Sequence, residues 1–539
     1  TNMSSTSSVR LALRIGGALL LVLILTAATL ATMFFMTSRP PFSTPSGPPW
    51  QSSVLSGGGD LTSAFSWTPS RPLRVVFLTW GSTGDHVPNI ALGFELARRG
   101  HEVTIVGLEQ YRHLTVRRGH PKGVPESLNF VALDDDGQIF ELGEKMNAPG
   151  NEQEFISISG DYLRNFAPKL VPKYLEAARA ANADVLVGQN FAYCALVQLT
   201  IAEILHKPLF FTVHDAGAIM PTASFSYDVA TNRVANHGWI TNVINTRFIW
   251  LLLGSMATWG SDSPWRKLRQ DYGLHTPWPV MEGLGPRTQA MIPTICSWDT
   301  TLWPFPTDVS QHWIATGYLA MPERDNADAD DVQVWIRKRR AEAERAGVAP
   351  RKLLYVGMGS WAHHNRTLLT DIVLDTIHTL NMDAVALRST VDDRHFPPEI
   401  KVVEPGTLDH SRLFPLCSVI IHHGGAGTAS QVIRSSRPGV CVPAMHFQET
   451  WGAPMEQYGA GVLLTQQELT ASWHADGINA LTAAVEKARL PAVEAKAREL
   501  GDRARRHGGA ATAVDFMEMK LKELVNARDG GFGGKNSEL

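Results

Sequence analysis

The chain is poor in cysteine. Its 539 residues contain four, Cys194, Cys296, Cys417 and Cys441, with no Cys-x-x-Cys pair and no Cys/His spacing that suits zinc. Each lies in or beside an apolar run, so they read as buried free thiols, and neither a disulfide scaffold nor a structural metal is expected. Charge of one sign is also scarce. The formal net charge is -3, and no block of Lys and Arg marks a phosphate-backbone footprint, which removes nucleic acid from the expected partners.

What is present is apolar sequence, 44% of the chain by residue, enough for at least two cores at roughly 100 to 200 residues per domain. Residues 15–36, IGGALLLVLILTAATLATMFFM, carry no charge and match the ~20 residues that a bilayer crossing needs. A cleaved signal peptide ending near Ala28 or Ala31 is the competing reading, but the run exceeds a usual h-region, so a retained single-pass anchor is expected. Arg10 and Arg14 before the span, against Arg39 after it, favour a cytoplasmic N-terminus. The sequon Asn365-Arg366-Thr367 argues the other way, since a glycan so close to a candidate binding loop at Ser360 would obstruct it. The side of the membrane on which the body lies is left open.

The expected organisation is a tail over 1–14, the anchor over 15–36, a Pro/Ser/Gly-rich linker over 37–71, a first domain over 72–325, a second over 326–510, and a C-terminal helix with a disordered tail over 511–539. From residue 72 apolar strand-like runs alternate with helical patterns: LRVVFLT, EVTIVG, ADVLVG and PLFFTV, then KLLYVG, DAVALR, SVII and GVCVP. That alternation predicts βαβ units and an α/β fold with parallel sheets. The acidic stretch MPERDNADADD at 321–331 separates the two sets. The apolar segment 248–259 is too short to span a membrane and reads as a buried or ligand-lining helix.

Two strand-to-helix turns carry candidate chemistry. In HHGGAGT, residues 422–428, a strand end, small residues and a helix start aim unpaired backbone N–H groups at one point, which suits phosphate. Gly424, Gly425 and Gly427 permit close approach, Thr428 adds a hydroxyl, and His423 is better placed than His422 if strand alternation continues. A tight turn with packed histidines is the plain alternative. A dinucleotide fingerprint is incomplete, because no Asp or Glu stands ~20 residues on at a strand end, and the P-loop lysine is missing. In the first half, GSTGDHVPNIALG places Asp85 and His86 between a strand and a helix expected from Pro88 to Arg99. Asp85 suits either a helix cap or a general base.

The segments GSTGDHVPNIALGFELARRGHEVTI, ATGY, VGMGS and HHGGAGTASQVIRSSRPGVCVPAMHFQETWGAPM, in this order, resemble the family 1 glycosyltransferases, nearest to the sterol and lipid glucosyltransferases, with the bacterial antibiotic glycosyltransferases next. The resemblance implies a GT-B fold, two Rossmann-like domains facing a cleft, here preceded by the anchor. It further implies inverting, metal-independent transfer of a hexose, glucose in the nearest branch, from a UDP-sugar to a hydroxyl of a hydrophobic sterol, terpenoid or lipid. No cofactor is then expected beyond the UDP-sugar as co-substrate. Asp85 takes the place of the acidic base, with His86 as alternate or modulator. Ser360, His423, Gly425, Gly427 and Thr428 would hold the diphosphate, His410 in GTLDHSRLF lies in the segment that cradles the base, and Gln448 with Glu449 would face the sugar. The chain departs from the family pattern at Phe447, where an aspartate usually stands, and at Thr83, where an arginine does. Two rivals remain: a metal-dependent transferase using Asp134-Asp135-Asp136 as its D-x-D, and a membrane-tethered binding protein that has lost catalysis.

Overall fold

The computed structural model describes residues 67–68, 71–116, 123–138, 161–190, 192–214, 226–228, 233–235, 263–274, 292–306, 309–322, 331–359, 365–405, 408–443, 448–471 and 480–530, with isolated positions between 141 and 160. All of them belong to one compact unit, Gly47–Leu539. The anchor at 15–36, most of the linker, the segment 248–259, Ser360, Phe447 and the tail 531–539 lie outside the described residues. Among the described residues no helix is long and apolar enough to cross a membrane.

Two parallel sheets organise the molecule. The first holds β1 (Arg74–Leu78), β2 (Glu102–Leu108), β3 (Asn129–Leu133), β4 (Val185–Gln189), β5 (Leu209–Val213), β6 (Thr294–Cys296) and β7 (Trp313–Ala315), in the spatial order β3-β2-β1-β4-β5-β6-β7. The second holds β8 (Leu353–Gly357), β9 (Asp383–Leu387), β10 (Ile400–Val403), β11 (Val419–His422), β12 (Gly439–Cys441) and β13 (Gly461–Leu463), in the order β10-β9-β8-β11-β12-β13. Every pairing in both is parallel. Strands covered on both faces need apolar side chains at successive positions, and the central runs Val75–Leu78 and Leu354–Val356 are buried throughout. In each sheet the strand order reverses beside its first strand, between β1 and β4 and between β8 and β11. Open α/β sheets bind ligands at the carboxyl ends of such strands, which are the two turns singled out in the sequence.

Helix α1 (Thr83–Arg98) begins five residues before the expected start at Pro88. The Ser82 amide donates to the Asp85 carboxylate at 2.7 Å, a capping arrangement that opens the helix earlier. Pro88 therefore sits inside the helix, where it has no N–H to offer the Gly84 carbonyl. The C-terminal end is as expected: Gly100 has φ +90°, and the His101 amide closes onto the Leu96 carbonyl.

Helices α2 (Ala167–Ala180) and α3 (Ala192–Leu205) cover one face of the first sheet. The other face is covered by α1 together with α11 (Ala510–Gly530), which returns from the end of the chain. Val514, Phe516, Met517 and Leu521 of α11 are buried against Phe77, Ile90 and Phe94, and each such side chain contributes about 1.5–3 kcal/mol on burial. Arg99 fixes the docking with bonds to Asp515 (2.6 Å) and the Ala511 carbonyl (2.9 Å). The C-terminal helix thus completes the first domain.

The second sheet is covered by α5 (Asp331–Arg345), α6 (Arg366–Thr379), α7 (Ala426–Arg434), α8 (Glu449–Tyr458), α9 (Ala480–Ala488) and α10 (Pro491–Ala504), while α4 (Pro264–Asp271) packs beside α2. Trp298 and Trp303, which follow β6 of the first sheet, join the core of the second beside Tyr355, Phe414 and Trp451. The Trp303 indole donates to the Thr450 carbonyl at 2.9 Å. Asn365, the sequon residue, is the N-cap of α6 and accepts the Leu368 amide at 3.1 Å. Asn365→Ala is expected to lower unfolding free energy by about 1 kcal/mol, read from urea denaturation. A change below ~0.3 kcal/mol would show that the cap contributes nothing there.

Candidate active site

The first wall of the site is the turn from β1 into α1. Gly81 has φ +122°, and a β-carbon built on it would lie 2.4 Å from the Asp85 Oδ2, so only glycine leaves room for that carboxylate. Asp85 Oδ2 accepts from both the Ser82 amide (2.7 Å) and the Ser82 hydroxyl (2.9 Å). No described residue holds Oδ1. Desolvation raises the Asp85 carboxyl above the usual range and outweighs the two Ser82 bonds and its own backbone amide, which pull it down. One oxygen caps the helix, and the other makes no hydrogen bond to a side chain among the described residues.

Behind this side chain a buried polar network fixes the peptide. The Asp85 carbonyl accepts from Gln189 Nε2 (3.0 Å) and Asn89 Nδ2 (2.8 Å). Asn89 in turn meets Thr212 at 2.9 Å and His214 Nε2 at 3.3 Å, while His214 Nδ1 lies 2.8 Å from the Ser297 hydroxyl. Burial pushes His214 down to about 3, so its ring is neutral. Asn89 and His214 carried no sequence signal of their own. Asn89 sits one helical turn after Asp85 and His214 at the end of β5, a position that a reading of strand ends would have found.

His86 does not share the site. It is fully buried, its Nδ1 donates to the Ser82 carbonyl (3.0 Å), and its ring packs on Tyr111 at 4.1 Å between centroids, tilted by 38°. Its Nε2 points at Gly107 and has no partner among the described residues. Adjacent helical residues diverge by about 100° around the axis. The expectation of His86 as an alternate base is therefore corrected: it packs α1 against β2, and burial holds it neutral at about 4.

The acidic triplet also diverges. Asp135 is buried and accepts the Trp80 indole at 3.0 Å, whereas the exposed Asp134 and Asp136 approach Lys173 at 3.9 and 3.6 Å. Asp134 and Asp136 thus share one point, but the Lys173 ammonium already stands there, and Asp135 turns into the core. Trp265 is likewise core, donating to the Leu163 carbonyl at 2.7 Å.

The second wall is the turn from β11 into α7. His422 is fully buried, as strand alternation predicts; its Nδ1 accepts the Gly424 amide at 3.1 Å and its Nε2 faces Gly439. His423 is half-buried, with its ring between Gly359 and Gly425, whose β-carbons would lie 2.9 and 2.4 Å from Nε2. Burial pushes His423 down to about 4, with nearby His410 lowering it further and the Gly357 backbone opposing. It is a neutral imidazole at the base of the turn.

Helix α7 follows with Gly425 as N-cap, and its first internal bond runs from the Ala429 amide to the Gly425 carbonyl. The amides of Ala426, Gly427 and Thr428 therefore have no intrahelical acceptor, the arrangement that attracts an anion. Gly424, at φ +84°, is braced from below: a β-carbon there would lie 2.4 Å from the Gln448 carbonyl. Gln448, at the N-cap of α8, is thus seated under the turn into α7. His410 lies in an aromatic group near His423, stacked on Phe414 at 4.6 Å with its Nε2 3.3 Å from the Tyr355 hydroxyl. Ser360 lies outside the described residues; its neighbour Gly359 is held by Ser389, whose hydroxyl donates to the Gly359 carbonyl at 2.6 Å.

The two walls meet. A β-carbon on Gly427 would lie 3.8 Å from the Gly84 α-carbon, so the first turn of α7 faces the first turn of α1 across a gap with room for little more than a methyl group at that point. Asp85 is the next residue along.

Comparison with known proteins follows this geometry. Residues 371–504 match the model of the Erythromycin biosynthesis protein CIII-like, C-terminal domain. The UDP-sugar-dependent glycosyltransferase 52 of Dictyostelium discoideum is 25% identical over 488 residues, covering 84% of this chain and 26% of that protein. A sterol 3-beta-glucosyltransferase of Pichia angusta is 24% identical over 463 residues, covering 84% of this chain and 34% of that protein. The chain therefore spans about a third or less of the length of these curated relatives. Among solved structures, the calicheamicin glycosyltransferase CalG4 superposes with a TM-score of 0.56 at 16% identity, over 84% of this chain and 99% of that one. The glycosyltransferase VinC, solved in complex with DTDP, does so at 0.51 and 17%, over 83% and 99%. These neighbours share the α/β, two-domain GT-B architecture.

Proposed function

We propose that this chain, a relative of the family 1 UDP-glycosyltransferases, is an inverting glycosyltransferase that moves a hexose from a UDP-sugar to a hydroxyl of a hydrophobic alcohol. The observation that carries the reading is the meeting of the Asp85 turn with the anion-attracting turn of α7. An acceptor hydroxyl beside Asp85 gives its proton to the carboxylate as its oxygen forms a bond to the anomeric carbon. The bond from that carbon to the diphosphate oxygen breaks, and the electron pair leaves with UDP. Negative charge then develops where the free amides of Ala426, Gly427 and Thr428 point, with His423 beneath them, the preorganised placement that stabilises a leaving group.

The sugar and the acceptor are proposals of finer grain. Glucose, and a sterol, terpenoid or lipid acceptor, are supported by the relatives named as sterol glucosyltransferases. Phe447 in place of an aspartate beside Gln448 changes the grip on sugar hydroxyls, so glucose is the component most open to revision. Because one neighbour was solved with DTDP, the donor test spans both nucleotides.

Charge stabilisation by amides and neutral imidazole needs no divalent ion. Full-length protein in detergent is expected to glycosylate ergosterol or a long-chain alcohol from radiolabelled UDP-glucose, with the rate unchanged by excess EDTA. A rate abolished by EDTA and restored by Mg²⁺ or Mn²⁺ overturns the metal-free mechanism. UDP binding without transfer or donor hydrolysis, across UDP- and dTDP-sugars, would point instead to a nucleotide-sugar binding protein.

A further inference from the structure

The polar network behind Asp85 allows one order of protons. A carbonyl accepts and cannot donate, so the Asn89 atom 2.8 Å from the Asp85 carbonyl is the amide nitrogen. The Asn89 Oδ1 then faces the Thr212 hydroxyl, which donates to it at 2.9 Å. The second Asn89 N–H points to His214 Nε2 at 3.3 Å, and that nitrogen must offer a lone pair. The His214 proton is therefore on Nδ1, which donates to the Ser297 hydroxyl at 2.8 Å. Ser297 donates in turn to the Val213 carbonyl at 3.4 Å.

Asn89, Thr212 and Ser297 are each 1% exposed, so bulk water does not compete for these bonds. The chain of donors ends on the peptide that carries the candidate base. The Asp85 carbonyl takes two side-chain donors, Asn89 Nδ2 and Gln189 Nε2 at 3.0 Å, and Gln189 is itself oriented by the Trp80 amide, which donates to its Oε1 at 3.0 Å. Ser82 holds the carboxylate at the other end of the same residue. The free oxygen of Asp85 is thus aimed from both ends, through the backbone by Asn89 and Gln189 and through the side chain by Ser82. The Asn89 amide in turn depends on its neighbours: an acceptor at His214 Nε2 and a donor at Thr212 together keep its N–H groups turned towards Asp85.

We infer that Asn89 and His214 are positioning residues for the transfer: His214, as the neutral Nδ1–H imidazole, holds the Asn89 amide in the orientation that aims Asp85 at the acceptor hydroxyl. Neither touches the reacting atoms. A proton on Nε2 would set N–H against N–H and leave Asn89 without its acceptor, so the tautomer is part of the device. The effect on rate is large for a small movement, because a misplacement of about 1 Å can cost about 100-fold. This inference rests on the glycosyltransferase reading of the same site and deepens it.

The two ring nitrogens can be mimicked separately, because an asparagine amide reaches about as far as Nδ1 and a glutamine amide about as far as Nε2. His214→Asn keeps a polar group facing Ser297 and removes the acceptor facing Asn89, whereas His214→Gln restores that acceptor. With full-length protein, radiolabelled UDP-sugar and a hydrophobic alcohol, His214→Asn and Asn89→Leu are expected to lower kcat roughly 100-fold. UDP affinity, read by titration calorimetry, should be unchanged in both, and His214→Gln should recover most of the lost kcat. Equal kcat in the two His214 variants, or a loss of UDP affinity that matches the loss of kcat, overturns the inference while leaving the function intact. A wild-type protein that transfers no sugar from any donor defeats the glycosyltransferase reading and the inference with it. Should thermal denaturation show either His214 variant unfolded at the assay temperature, Thr212→Val decides. It preserves shape and removes the donor that holds the Asn89 oxygen, so kcat should fall at unchanged UDP affinity, and an undiminished kcat overturns the inference.

Discussion

Asp85→Asn is expected to lower kcat by roughly 10²- to 10⁴-fold, the range for removal of a general base, while leaving UDP affinity unchanged. Asparagine still offers an oxygen to the Ser82 amide, so the cap that opens α1 at 2.7 Å is retained. What is lost is the capacity to take a proton through the oxygen that Ser82 leaves free. The pH dependence follows with a definite sign. The base must be ionised, and burial raises the Asp85 carboxyl above the usual range, so kcat/KM holds above that value and falls as pH drops through it. His423 and His410, held down at about 4 by burial, remain neutral across the same interval. No limb at an ordinary imidazole value near 6.5 is therefore expected.

Stability moves the opposite way. A carboxyl whose folded pKa is raised favours the folded state fully at low pH, and that advantage is lost as pH rises through the folded value. At neutral pH the wild-type protein thus carries the cost of a desolvated charge, and Asp85→Asn removes it. The variant should denature at the same temperature or higher. A variant that retains more than a tenth of wild-type kcat sinks the assignment of Asp85 as base. A variant that loses both activity and several degrees of melting temperature identifies Asp85 as a cap and nothing more.

The parallel strands were legible because a strand covered on both faces must be a continuous apolar run; LRVVF and LLYVG left no other reading. Helix α1 was placed too late because Pro88 was weighed as a first-turn proline. The competing signal, Ser82 followed three residues later by an acid, sits inside the turn that was being read as a ligand loop. Local capping and functional placement use the same residues here, and sequence alone does not separate them. His86 shows the opposite error: adjacency in sequence suggested adjacency in the site, but a helix turns neighbours apart.

Tertiary partners were out of reach for a different reason. The alternation of Val514, Met517 and Leu521 marks an amphipathic helix, yet nothing local says that its partner, Phe94, lies some four hundred residues earlier. The interlocking of Trp303 with Thr450 is equally invisible before the domains meet. Only the resemblance to a two-domain family suggested that the Asp85 turn and the HHGGAGT turn belong to one site. The Gly84 and Gly427 approach now supplies that juxtaposition.

The three glycines of that turn look equivalent in sequence and are not. Gly424 combines φ +84° with a bracing carbonyl 2.4 Å from any β-carbon, so Gly424→Ala is expected to cost a few kcal/mol from left-handed strain and overpacking together. Gly427 lies outside the positive-φ residues and has only ordinary contacts at 3.6 and 3.8 Å waiting for a methyl group. Gly427→Ala should leave stability unchanged or raise it by up to about 1 kcal/mol, because a helical glycine gives up backbone entropy that alanine does not. The same methyl group stands beside the α7 amides at which the diphosphate is proposed to bind. UDP affinity is expected to fall roughly 10-fold, about 1.4 kcal/mol, and Gly427→Val, with two further carbons, should abolish measurable binding. Calorimetric titration of UDP and thermal denaturation, run on both positions, read the two effects separately. Undiminished UDP binding by Gly427→Val would place the anion elsewhere. A Gly424→Ala protein as stable as wild type would show that the Gln448 brace yields, and with it the link between the α7 turn and the start of α8.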